Sequence, residues 1–109
     1  MIINVCKYIS TGYSRDEADI LSPIIKRAIL STEPFVIDFA NVKYYTTTFF
    51  NIITCYIGQL GYEEYCRRIH ICNLTESGME VYKIALNYAI DYYKNLSVQY
   101  EGVSGCDDK

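Results

Sequence analysis

Three consecutive hydroxyls, Thr46-Thr47-Thr48, stand just before an apolar run at helical spacing: Phe49, Ile52, Ile53, Tyr56, Ile57 and Leu60. One of them is expected as the N-cap, because a threonine there accepts a hydrogen bond from a free amide of the first helical turn. A cap needs a single hydroxyl. The others lie where free amides and the positive end of the helix dipole would stabilise a phosphate dianion, which makes the segment a candidate regulatory site. Upstream, Asp38 closes an apolar run, Phe35-Val36-Ile37-Asp38-Phe39. A lone carboxylate there could act as a base or a metal ligand. Its expected role is to accept hydrogen bonds from loop amides at a strand exit and so order the loop behind the threonines.

Other chemistry is thinly represented. His70 is the only histidine and has no obvious acid or nucleophile partner in the sequence, so a strand histidine with a satisfied hydrogen bond is expected. There is no GxGxxG, no phosphate loop and no HExxH. Five cysteines, Cys6, Cys55, Cys66, Cys72 and Cys106, form no CxxC pair and no ligand set with His70. They are expected as free structural thiols, mostly buried as small hydrophobes in strands and helices. The expectation is no catalytic residue, no metal and no cofactor.

The elements that must position these residues can be read from periodicity. At 109 residues the chain is long enough for one core, and its 50% hydrophobic content argues against general disorder. A strand over Ile2–Tyr8 precedes a loop at 10–13 and a capping box, Ser14 with Glu17. The helix that follows buries Ala18, Leu21, Ile25, Ala28 and Ile29, and Pro23 should kink it rather than break it. Phe35–Phe39 is the central strand, covered on both faces, and the threonine helix then runs to the glycines at 58 and 61. A third strand spans Arg67–Asn73. The last helix starts from a second capping box, Ser77 with Glu80, and buries Val81, Ile84, Ala85, Tyr88 and Tyr92. Residues 97–109 read as a tail, with Val98 and Tyr100 as an edge strand and the remainder disordered. The plan is α/β: one domain over residues 1–96, a small, mainly parallel sheet flanked by three helices.

Charge and composition narrow the partners. A net charge of −3 with only two basic pairs, Lys26-Arg27 and Arg67-Arg68, argues against nucleic acid. No apolar run is long enough for a membrane span, and the first residues do not resemble a signal peptide, so a cytoplasmic location is expected. Twelve tyrosines without a tryptophan imply surface aromatics, which favour protein contacts.

The segment VIDFANVKYYTTTFFNII resembles the core of STAS domains, the fold of bacterial anti-anti-sigma factors. It is closer still to STAS-like proteins of unassigned function found in bacteria and mobile elements. The resemblance rests on Asp38-Phe39, Val42 and Thr47-Thr48-Phe49, with Tyr13-Ser14-Arg15-Asp16-Glu17-Ala18 upstream, and covers about residues 12–96. It implies a STAS-like βαβαβα order and, as partner, an ATPase of histidine-kinase fold or an anti-sigma-like protein. By position Thr47 matches the phosphorylated serine of that family and Thr48 the serine after it. Thr46 replaces the family aspartate, and Phe49 replaces the glycine.

Residues and resemblance together lead to a non-enzymatic regulatory module that binds another protein. Its expected surface is Thr46, Thr47, Thr48 and Asn51, with Tyr44 and Tyr45 as aromatic contacts and Thr47 as phosphoacceptor. Two alternatives stand beside it: a phage or mobile-element inhibitor that blocks a host enzyme by contact alone, and a small hydrolase or nucleotide-binding domain. A homodimer is also open.

Overall fold

The computed structural model describes residues 1–106. Three short strands, β1 (Ile2–Asn4), β3 (Phe35–Asp38) and β5 (Ile69–Cys72), form a parallel sheet in the order β1-β3-β5. The register sets Ile3 beside Ile37 and Ile37 beside Ile71. Phe35, Ile37 and Phe39 point into the core, as their alternation requires. The opposite face is more open than expected: Val36 is half-buried, while its neighbours Ile2 and His70 are exposed. Phe35–Asp38 is therefore central in the sheet but well covered on one face only.

A second parallel pair, β2 (Thr11–Gly12) with β4 (Lys43–Tyr45), lies in stretches that read as loop by composition. Strands this short carry no alternation to recognise. The fold is thus α/β, with two small parallel sheets flanked by five helices among the described residues, rather than one sheet and three helices. The first strand is also shorter than expected. After Asn4 the chain turns through a 3-10 helix, Val5–Lys7, in which the Tyr8 and Ile9 amides both donate to the Val5 carbonyl. That turn lets Val5 and Ile9 both enter the core.

Helix α1 (Arg15–Leu30) starts on the Ser14–Glu17 capping box and runs unbroken through Pro23, which is exposed. The threonine helix is two helices, α2 (Thr47–Thr54) and α3 (Tyr56–Leu60), joined at Cys55. Gly61, at φ +83°, then turns the chain into α4 (Tyr62–Arg68), a helix the sequence reading left out. Its signal was present in the charges: Glu63 and Glu64 in the first turn, Arg67 and Arg68 in the last, complement the helix dipole. Arg67 and Arg68 accordingly end a helix and do not begin the third strand.

Helix α5 begins at Glu76 and extends to Cys106. Its start is held by Thr75, whose hydroxyl accepts from the Gly78 amide at 2.9 Å, and not by a Ser77–Glu80 box. The tail expected over 97–109 is helical as far as Cys106, so Val98 and Tyr100 lie in this helix and not in an edge strand, and its residues 107–109 lie outside the described residues. Its inward face is Gly78, Val81, Tyr82, Ala85, Leu86, Ala89, Ile90 and Tyr93. Ile84, Tyr88 and Tyr92, expected on that face, are 59%, 72% and 53% exposed. The small residues explain the rotation: the Tyr45 ring packs so close to Gly78 that a Cβ there would sit 2.6 Å from it. Around that contact Phe39, Tyr45, Phe49, Phe50 and Tyr82 form one aromatic cluster with edge-to-face and stacked rings.

Candidate functional site

Thr46 is the residue that caps α2. Its Oγ1 accepts from the Phe49 amide at 3.1 Å, and its own amide donates to the Gly12 carbonyl, tying the helix start to the second sheet. Thr47 and Thr48, the first two residues of the helix, are exposed. Their hydroxyls have no hydrogen-bond partner among the described residues. Asn51, one turn further, is exposed on the same side.

Three open clefts meet at Asn51. One of about 410 Å³ lies between α1 and α2 and is lined by Arg15, Ser22, Thr46, Thr48 and Asn51, among others. One of about 280 Å³ runs from Thr47, Thr48 and Asn51 to Ile84 and Tyr88 of α5. One of about 240 Å³ continues past Cys55 to Tyr92 and Tyr93. The exposed hydroxyls and amide therefore sit between two flanking helices, on a broad uneven surface and not in a closed pocket.

The two tyrosines expected beside the threonines part company. Tyr45 is in the core; its hydroxyl donates to the Val42 carbonyl and burial pushes its pKa up to about 12. It is withdrawn as a surface contact. Tyr44 is 63% exposed and stacks on Tyr13 with ring centres 6.0 Å apart. It is the extra residue of a bulge, because Thr11 pairs with Lys43 but Gly12 with Tyr45, and it takes a left-handed φ of +64°. For an aromatic residue that conformation is costly.

Asp38, expected to order the loop behind the threonines, has no hydrogen bond to them among the described residues. Its Oδ1 accepts from the Ala40 amide and from Asn73 Nδ2, both at 2.9 Å. The Asn73 amide, then the Ala40 N–H, hold its carboxyl below the usual range. His70 is exposed, with Nε2 3.0 Å from the Arg67 carbonyl. Cys6, Cys55 and Cys66 are exposed free thiols and Cys72 is half-buried, so burial as small hydrophobes does not describe them. Among the described residues no cluster of His, Cys, Asp or Glu could hold a metal ion, and no helix is long and apolar enough to cross a membrane.

Sequence reasoning missed Tyr13, Ile84, Tyr88 and Tyr92 as surface aromatics and aliphatics. For α5 the available signal was the row of alanines at 85 and 89, which marks the side of closest approach. No family model matches this chain, and no significant match was found among curated proteins or solved structures.

Proposed function

We propose that this chain is a non-enzymatic regulatory module that binds another protein through the exposed start of α2, with phosphorylation of Thr47 as the switch. One observation carries the reading. Capping is done by Thr46, which leaves Thr47 and Thr48 exposed beside Asn51, where three clefts converge. The resemblance to STAS domains supports Thr47 as the acceptor and an ATPase of histidine-kinase fold as the partner class. Tyr44, stacked on Tyr13, supplies the aromatic contact at the edge of this surface.

The test compares Thr47→Asp with Thr47→Ala against the partner recovered from the native host by affinity pull-down. A carboxylate at the first helical position faces the positive end of the dipole, so stability should shift by under about 1 kcal/mol. Placed in an interface without a counter-ion, the same charge should weaken binding by several kcal/mol. Thr47→Ala should keep the partner. Calorimetric titration reads both. If Thr47→Asp binds as wild type does, the switch fails and a contact inhibitor built on the exposed Tyr13–Tyr44 pair becomes the better account.

A further inference from the structure

The outward row of α5, Ile84, Tyr88 and Tyr92, is a stripe of large apolar side chains with no cover among the described residues. Beside it runs a second exposed row: Glu80, Lys83, Asn87, Asp91 and Lys94. None of its four charged groups makes an ion pair among the described residues. Their order is self-complementary when reversed. An antiparallel copy of the helix, centred near Asn87 and Tyr88, sets Lys83 opposite Asp91, Glu80 opposite Lys94, and Asn87 opposite Asn87. The apolar row centres one residue further on, about 1.5 Å along the helix axis, where Ile84 meets Tyr92 and Tyr88 meets its counterpart. A parallel copy would oppose like charges at all four positions.

We infer that α5 is a homodimer surface, pairing antiparallel with α5 of a second copy about a two-fold axis near Asn87–Tyr88. A two-fold interface brings the same patch of both copies together, so the patch must be complementary to itself. This row meets that condition in charge as well as in apolar character. A partner of different sequence would place no such demand on it. The inference goes beyond the proposed function and does not rest on it, since none of its pairs uses Thr47. Ile84, Tyr88 and Tyr92 also line two of the clefts at Asn51, so a second copy and the α2 partner would compete for that ground.

Sedimentation equilibrium of the full chain, in reductant so that the exposed thiols stay free, is the measurement. Wild type should show a monomer–dimer equilibrium. Tyr88→Glu places two carboxylates at the axis and should weaken it by about tenfold or more. Lys83→Asp sets acid against Asp91 twice and should do the same. Adding Asp91→Lys to Lys83→Asp restores complementarity with the signs exchanged, and should return the dimer to within about threefold of wild type. Far-ultraviolet melts identify the folded variants, and the Lys83 series decides the matter if Tyr88→Glu does not fold. A monomeric wild type at about 100 μM, well above a micromolar dissociation constant, would overturn the inference. So would a dimer indifferent to folded Tyr88→Glu, or a double exchange no tighter than Lys83→Asp alone.

Discussion

Thr46 and Thr47 are neighbours of the same type with different physical duties. The Thr46 hydroxyl holds the Phe49 amide, so Thr46→Ala should lower stability by about 1 kcal/mol, whereas Thr47→Ala should be nearly silent in a thermal melt. Equal losses would mean that the cap is shared. At the start of α1, Glu17 accepts from the Thr11 amide at 3.0 Å and the Thr11 hydroxyl at 2.7 Å, and from Ser14 as well. The Thr11 hydroxyl bond is the main reason its carboxyl falls from 4.5 to about 2. A folded pKa below the unfolded one adds stability in full above the unfolded value, and that gain is lost as pH falls through the folded one. Glu17→Gln should therefore melt below wild type at pH 7, and the gap should close between about pH 4.5 and 2. A gap that stays constant down to pH 2 would remove the carboxylate from the account. The capping box itself was legible because its two partners are only three residues apart. The bonds to Thr11 were not, since they depend on where β2 lies.

Among the elements, those with enough turns to show a period were legible. Helix α1 starts at the expected capping box and buries the expected face, and Phe35–Asp38 is central in its sheet. Two kinds of element escaped. The strands β2 and β4 are too short to alternate, and α5 carries two apolar rows between which hydrophobicity alone cannot choose. Close approach makes that choice, at Gly78 against Tyr45 and at Gly58 of α3 against Tyr93. A Cβ built on Gly58 would sit 2.3 Å from the Tyr93 ring. Alanine is favoured over glycine within a helix by about 1 kcal/mol. In wild type that gain should be outweighed by displacement of the ring, as overpacking commonly costs about 1–3 kcal/mol. Gly58→Ala should therefore destabilise the wild-type protein yet stabilise a Tyr93→Ala background. Urea unfolding of the four proteins measures the coupling, and additive effects would mean that the ring moves aside freely.

At the scale of the whole molecule, the outer face of the β1-β3-β5 sheet is only partly covered, with Ile2 and His70 exposed. Arg68 ties the chain beside edge strand β5 to another helix. It ends α4, directly before β5, and its side chain is 5% exposed. Nη2 donates to the Ile29 carbonyl at the end of α1, joining segments 39 positions apart. Nε lies 4.0 Å from Glu64 and has no hydrogen-bond partner among the described residues. A buried guanidinium so incompletely paired carries a desolvation cost, and removing it relieves that cost while leaving the Ile29 carbonyl without this donor. The two effects separate with side-chain volume. Arg68→Met fills the space and loses the bond, for an expected cost of about 1–2 kcal/mol. Arg68→Ala also opens a cavity between α4 and α1, raising the cost to about 3 kcal/mol or more. Urea midpoints should rank wild type above Arg68→Met and Arg68→Ala last. If Arg68→Met equals or exceeds wild type, desolvation outweighs the hydrogen bond, and it is packing rather than charge that ties α4 to the end of α1.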